Sequence, residues 1–143
     1  MEPTKILSGA TVLLVRDVEM AADYYRDKLG FRYSRLWGEP PCFCMAWRDE
    51  QCLMLSQVEN HAHIRSLSDV AHIWDAYLWV DDADKLYAEL EERGAILEHA
   101  PCVTDYGVKE FTVRDLDGYQ LAFGEELDEP AISEEPATSE EEE

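Results

Sequence analysis

Apolar residues along the first thirty positions follow a strand period and then a helix period. Residues 9–16 are rich in β-branched and aliphatic side chains, which favours a β-strand. From Val18 to Leu29, apolar side chains recur at the spacing of one buried helix face. Asp17 is a suitable N-cap for this helix, and Gly30 is a typical C-terminal stop. The segment is therefore predicted to form a strand, an acidic turn and an amphipathic helix.

The same pattern returns 65 positions later, measured from Asp17 to Asp82. A second apolar strand is predicted at 73–80, and a second helix at 83–93 that ends at Gly94. A repeat of this length is larger than a turn or a helix pair, so it indicates a duplicated βα unit. Each half of the chain should then contain equivalent positions.

Each predicted helix is followed by three further segments with strand character. They are 31–38, 41–49 and 51–57 in the first half, and 95–99, 108–114 and 119–124 in the second. Residues 58–72 break the pattern and are predicted to be a connector with a short helical turn. The predicted fold class is α+β, with two tandem βαβββ modules, 9–57 and 73–126, in a single domain over 1–126.

Alternation along the strands predicts which side chains face a helix and which lie on the other face of each sheet. The helix side should hold Leu53, Leu55, Ala76, Leu78, Val80, Leu121 and Phe123, with Trp47 and Phe111 as core aromatics. The opposite face should hold Met54, Asp75, Tyr77, Trp79, Gln120 and Ala122.

Acidic residues are concentrated at the C-terminal end of this chain of net charge −20. Residues 125–143 hold ten acids and no base, which leaves 22 acids against 12 bases, a net of −10, in 1–124. Residues 127–143 are predicted to be a disordered acidic tail, because they offer little apolar surface to bury. The acidic body argues against nucleic-acid binding. It permits a cationic ligand, although a role in solubility alone explains it equally well.

The cysteines and histidines show no spacing typical of a structural metal site. The four cysteines lack the paired CxxC pattern, and Cys42 and Cys44 are interpreted as buried, reduced thiols. His61 and His63 lie in the polar connector and are interpreted as a solvated pair rather than a chelating one. No apolar run approaches the roughly 20 residues that span a bilayer, and no secretion signal is visible. We expect a cytoplasmic protein that does not bind membranes.

Two stretches resemble a known family. They are VRDVEMAADYYRDKLGF at 15–31 and YGVKEFTVRDLDGYQLAFGEE at 106–126. Together they resemble the vicinal oxygen chelate superfamily, which contains glyoxalase I, extradiol dioxygenases, and bleomycin and fosfomycin resistance proteins. The resemblance covers residues 9–126. It implies that each sheet curls into a half-barrel, that the two modules enclose a cleft, and that the protein is a homodimer.

The resemblance also identifies four positions at which enzymes of the superfamily hold a divalent metal with His or Glu. In this sequence those positions are Ala10, Met54, Asp75 and Ala122. Alanine cannot ligate a metal, and a methionine thioether is a poor ligand for Mg²⁺, Mn²⁺, Fe²⁺ or Zn²⁺. Only Asp75 could coordinate, so we expect no inherited metal site and no cofactor.

Without a metal, the implied cleft becomes a pocket for a small molecule. Its predicted ligand-binding residues are Trp37, Phe43, Met54, Asp75, Tyr77, Trp79, Tyr106 and Glu110. Aromatic faces beside carboxylates suit a flat or cationic ligand. The predicted function is metal-independent binding of a small aromatic or cationic molecule, as in antibiotic sequestration by the bleomycin-resistance-like branch.

Two enzymatic alternatives stay open. In the first, Asp75 or Glu110 acts as the general base of a metal-free enzyme, since apolar surroundings raise the pKa of a carboxylate. In the second, the chain is a metal-dependent lyase or ring-cleaving dioxygenase, and the missing ligands count against it. Fold alone does not choose among these functions.

Overall fold

The computed structural model describes residues 2–128, which form two compact units divided between Ile64 and Arg65. Each unit contains one βαβββ module, and the division falls inside the predicted connector. The α+β class and the tandem modules are confirmed. The single domain over 1–126 stays a prediction, and the predicted tail beyond residue 128 lies outside the described residues.

The first unit is a four-stranded mixed sheet with one helix. Its elements are β1 (Ala10–Val15), α1 (Val18–Asp27), β2 (Leu36–Trp37), β3 (Phe43–Arg48) and β4 (Gln51–Gln57), followed by a 3₁₀ turn at His61–His63. The strand order is β1-β4-β3-β2, with β1 parallel to β4 and the other pairs antiparallel. The connector thus contains more helical structure than the one turn that was predicted, because α2 (Leu67–Val70) follows.

The predicted strand at 31–38 is wrong in its length. Only β2 pairs continuously with β3, and Arg32 forms one isolated bridge with Trp47. Between them the chain bends at Ser34, next to Tyr33, whose hydroxyl donates to Asp23 of α1 at 2.6 Å. The bend interrupts the ladder and leaves β2 as a short edge strand.

The second unit repeats the same architecture. Its elements are α2, β5 (Ala76–Trp79), α3 (Ala83–Arg93), β6 (Ile96–Val103), β7 (Val108–Arg114) and β8 (Gln120–Glu126). The strand order β5-β8-β7-β6 matches that of the first unit position by position. Strand β6 runs beyond the predicted 95–99, with shifts in register on both sides of His99. The duplication inferred from the sequence is therefore confirmed at the level of topology.

Both main helices are capped in the same way. Asp17 and Asp82 are the N-caps, and each carboxylate accepts a backbone N–H from the first turn at 3.0 Å. A second cap comes from the end of the last strand of each module. The Gln57 side chain accepts from the Val18 amide at 2.8 Å, and the Glu125 carboxylate accepts from the Ala83 amide at 3.0 Å. These contacts satisfy amides that a helix N-terminus leaves without intrahelical partners.

The helix-facing side of each sheet forms a core. Leu53 and Leu55 are buried in the first unit, as predicted, and so are Ala76, Leu121, Phe123 and Phe111 in the second. Phe111 stacks on Phe123 with ring centres 5.1 Å apart, and Tyr87 of α3 meets it edge-on at 5.3 Å. Leu78 and Val80, at the edge of the second sheet, are only half-buried.

Two core assignments in the first unit are corrected. Cys44 and Ala46 occupy the helix side of β3, so Trp47 lies on the opposite face, where it pairs with Cys52 and is half-buried. Cys42 is exposed rather than buried, because β3 begins only at Phe43. Within residues 2–128, no helix is long and apolar enough to cross a membrane.

Candidate functional site

The face of the second sheet that points away from α3 carries most of the predicted site residues. Side chains directly opposite each other on paired strands share a face. One row across the sheet consists of Tyr77, Ala122, Thr112 and His99, and the next consists of Trp79, Gly124, Glu110 and Cys102. Since Phe111 and Phe123 point into the core between these positions, the two rows lie on the opposite face.

Tyr77 lies flat across β8. A side chain at Gly124 would collide with it, because an added Cβ would overlap the Tyr77 hydroxyl and lie 2.8 Å from its Cζ. The ring thereby crosses from β5 to β7, where its hydroxyl donates to Glu110 Oε1 at 2.8 Å. Burial, with the hydrogen bond to Glu110, raises the pKa of Tyr77. The sequence gives no sign that the Tyr77 ring crosses β8, since a glycine at the predicted end of a strand is common and does not indicate a close contact.

Glu110 is the acidic centre of this face. Its Oε1 atom accepts a second hydrogen bond from the Tyr106 hydroxyl at 2.6 Å, and this bond is the main cause of the raised pKa of Tyr106. No Lys, Arg or His among residues 2–128 forms an ion pair with Glu110, and its Oε2 accepts no hydrogen bond from that part of the chain. Two tyrosines thus orient the carboxylate and leave one oxygen available.

Two further aromatic rings lie beside that of Tyr77. The centre of the Tyr77 ring is 4.7 Å from that of Trp74 and 5.0 Å from that of Trp79, in edge-on and tilted arrangements. Trp79 is 62% exposed and Tyr106 is 60% exposed, so two rings are open to a binding partner. We call Trp74, Tyr77, Trp79, Tyr106 and Glu110 the aromatic–acid cluster. Trp74 was not among the predicted site residues, because it precedes the strand and alternation does not place it.

The hydrogen bonds of Asp75 are formed with residues outside this cluster. Its carboxylate accepts hydrogen bonds from the Ser66 hydroxyl at 2.6 Å and from the Leu67 and Gln120 amides at 2.8 Å. It therefore joins the start of α2 to the start of β8. A carboxylate with three donors is a structural link, and the predicted role of Asp75 as a general base stays a prediction that these contacts do not support.

A network of polar side chains lies next to Asp75. Arg114 donates to Glu98 at 2.9 Å and to Ser68 at 2.8 Å, and Gln120 donates to Glu98 at 2.7 Å. Burial acts to raise the pKa of Glu98, but the hydrogen bonds from Arg114 and Gln120 outweigh it and lower the pKa. Gln120 and Ala122 lie on the face away from α3, where both are buried. The alternation of side chains along a strand could not identify Glu98 as part of this network, because the register of β6 shifts near it.

The remaining predicted ligand-binding residues belong to the first unit, on the face away from α1. Val12, Met54 and Met45 form one row of paired positions there, and Phe43 pairs with Trp37. Met54 and Phe43 are half-buried, and Trp37 is 39% exposed. The Arg35 guanidinium lies 3.6 Å from the centre of the Trp37 ring, within range of a cation–π interaction.

The four positions that hold a metal in related enzymes do not suit one here. Ala10 and Ala122 have no donor atom, Met54 has only a thioether, and the oxygens of Asp75 already accept three hydrogen bonds. In the described part of the chain, no group of three or more His, Cys, Asp or Glu side chains could hold a metal ion. We therefore derive no catalytic step through a metal.

Comparison with solved structures shows where this fold occurs. A glyoxalase-related enzyme from Clostridium phytofermentans superposes with a TM-score of 0.70 at 13% identity, over 89% of this chain and 100% of that one. TnmS3, an antibiotic binding protein from Streptomyces sp. CB03234, gives 0.64 at 21%, over 86% and 99%. Lactoylglutathione lyase from Agrobacterium tumefaciens gives 0.61 at 20%, over 87% and 96%. At these identities the likeness establishes the fold alone.

Comparison by sequence is more direct. No match is found among curated proteins. The model of one protein family matches residues 8–123, which include both modules from β1 into β8. The chain belongs to the Glyoxalase/Bleomycin resistance protein/Dioxygenase superfamily.

Proposed function

We propose that this protein binds a small aromatic cation at the aromatic–acid cluster, without a metal. The observation that carries the proposal is Glu110, a carboxylate held by two tyrosine hydroxyls, with Oε2 free and aromatic rings beside it. A flat ligand would stack on Trp79 and place its positive charge at Glu110 Oε2. The net charge of −10 in residues 1–124 would attract such a ligand.

The two parts of this interaction have different strengths. Stacking against an aromatic side chain contributes about 0.5–1.5 kcal/mol beyond the area that it buries. A hydrogen bond to a charged group contributes roughly 1.5–3 kcal/mol. The carboxylate should therefore decide between a cation and a neutral molecule of the same shape, whereas the rings should hold both.

Sequestration is the mode of action that we propose. The similar structure TnmS3 is an antibiotic binding protein, which supports this proposal by analogy. A sequestering protein needs affinity and no chemistry, so the ligand should be recovered unchanged. Mass spectrometry of the ligand after long incubation tests this, and any protein-dependent product would favour the enzymatic alternative.

Calorimetric titration with proflavine, a planar cation, and acridone, a neutral molecule with a similar ring system, tests the binding site. We expect Glu110→Gln to weaken proflavine binding about tenfold and to leave acridone binding unchanged. Glu92→Gln is the matched control, because it removes the same charge from an exposed position on α3. The proposal is wrong if neither compound binds, or if both variants lose the same affinity.

The predicted contributions of Trp37, Phe43 and Met54 belong to the same proposal and need their own test. Replacing each with Ala and repeating the proflavine titration shows whether the first unit takes part in binding. The homodimer is also a proposal, and light scattering at several protein concentrations tests it. The cytoplasmic location stays an expectation from the sequence.

A further inference from the structure

Thr112 is the one residue in 2–128 with a buried side-chain nitrogen or oxygen that lacks a hydrogen-bond partner. The residue is 4% exposed, and its hydroxyl is the atom without a partner. Most buried polar atoms in folded proteins are paired, since an unpaired one loses its bonds to water and gains nothing in return. The Thr112 hydroxyl can therefore form a hydrogen bond that residues 2–128 do not supply.

The position of Thr112 places this hydroxyl on the candidate binding face. Thr112 pairs directly with Ala122, which in turn pairs with Tyr77, whereas its neighbours Phe111 and Val113 point into the core. It is therefore on the same side of β7 as Glu110. Two residues along a strand span about 7 Å, so the face presents a carboxylate and an unpaired hydroxyl at about that separation.

We infer that Thr112 determines ligand specificity by forming a hydrogen bond to an oxygen substituent of the ligand whose nitrogen is held by Glu110. This inference rests on the proposed function and adds the chemical class of the ligand. That class is an aromatic amine with a hydroxyl or carbonyl group roughly 7 Å from the charged nitrogen. A threonine hydroxyl both donates and accepts, so either oxygen group satisfies it.

Access to this hydroxyl requires a side chain to move. Tyr77 is in the same row as Thr112 and lies flat over Gly124, held at its far end by Glu110. In the inferred complex the ligand's nitrogen binds Glu110 Oε2, the oxygen that accepts no hydrogen bond within residues 2–128. Rotation of the Tyr77 ring away from the sheet is the movement that would open this row to the ligand. Tyr106 keeps its own bond to Glu110, so the carboxylate stays oriented.

Tryptamine and serotonin form a matched pair of probes, because they differ only in one ring hydroxyl. We expect the wild-type protein to bind serotonin roughly fivefold more tightly than tryptamine in calorimetric titrations, which is the effect of one hydrogen bond. Thr112→Val should remove this preference and leave tryptamine binding unchanged. Thr112→Ser, which restores the hydroxyl, should restore the preference.

The control is Thr11→Val on β1 of the first unit, which makes the same substitution on another strand. The melting temperature of each variant shows whether the fold is intact. Binding of the two amines with equal affinity by the wild type, or a preference that survives in Thr112→Val or disappears in Thr11→Val, would overturn the inference and leave the proposed function standing. Failure of both amines to bind would overturn the two together.

Discussion

At the scale of single residues, the contact between Tyr77 and Glu110 exists because position 124 has no side chain. The Tyr77 ring occupies the space that a Cβ would need, and its hydroxyl then reaches across β8 to β7. One glycine therefore decides where an aromatic ring lies and which oxygen of Glu110 remains available. Glycine matters at this position because it lets the Tyr77 ring lie close to the backbone of β8.

Gly124→Ala should displace the Tyr77 ring and break its hydrogen bond to Glu110. We expect the pKa of Tyr77 to fall toward the ordinary tyrosine value, and the free energy of unfolding to fall by roughly 1–3 kcal/mol through overpacking. Absorbance titration of the phenolate and urea denaturation measure the two effects. Gly9→Ala is the control, since an added Cβ there meets no atom within 4 Å.

Tyr33 provides a test of pH dependence at the same scale. Its hydrogen bond to Asp23, with a contribution from burial, raises the pKa of Tyr33 to about 12. The folded state thus prefers the protonated hydroxyl, so this contribution is complete below the unfolded pKa of about 10 and is lost as the pH rises toward 12.

We therefore expect Tyr33→Phe to lower the free energy of unfolding by about 0.5–1.5 kcal/mol between pH 7 and 9. The difference from wild type should narrow steadily above about pH 10. Urea denaturation at a series of pH values measures it. A difference that stays constant up to pH 12 would show that the Asp23 contact does not hold the proton.

At the scale of elements, each module fastens its helix to its own sheet by the same device. The last residues of β4 and β8 supply Gln57 and Glu125, whose side chains accept the first helical amides of α1 and α3. The N-terminus of each helix is thereby held at the carboxyl ends of the parallel strand pair in its sheet. This cap is part of the repeat, although its two residues differ in charge.

Replacement of either capping side chain should have a local cost. We expect Glu125→Ala to lower the free energy of unfolding by about 0.5–2 kcal/mol, which is the usual range for a lost N-terminal cap. Glu125→Gln should keep most of the stability, because Gln57 performs the same role in the first module. Glu126→Ala is a neighbouring exposed control, and an equal loss in that variant would contradict the assignment.

At the scale of the whole molecule, the chain consists of two compact units with the same topology and different buried chemistry. The first unit contains two buried thiols, Cys44 on the helix side of the sheet and Cys52 on its opposite face. Burial raises the pKa of Cys44 to about 11 and that of Cys52 above its usual value. The second unit has one cysteine, Cys102, which is exposed.

Thiol labelling should therefore distinguish the core of the first unit from its surface. We expect Cys42 and Cys102 to react quickly with a disulfide reagent at pH 8, and Cys44 and Cys52 to react only when the first unit unfolds. Peptide mapping after timed labelling, with and without urea, measures this order. Fast labelling of Cys44 in native protein would show that its unit opens far more easily than its packing indicates.

The pattern of hydrophobic residues alone determined the duplicated βαβββ architecture and most of the core. Periodicity and capping residues are local properties, so Asp17, Asp82 and the boundaries of α3 and β7 could be predicted. The assignment of Trp47 to the core failed, because Trp47 is four residues from Phe43 on β3 and therefore shares its face, opposite the buried Cys44 and Ala46.

The tertiary structure decided what the candidate site consists of. Tyr77, Tyr106 and Glu110 were all predicted from sequence, but only the folded sheet shows that two hydroxyls meet at one carboxylate oxygen. It also assigns Asp75 to a structural link and reveals the unpaired hydroxyl of Thr112. Alternation gives the face of a side chain. The atom that it meets depends on strands brought together from distant parts of the chain, which no local pattern encodes.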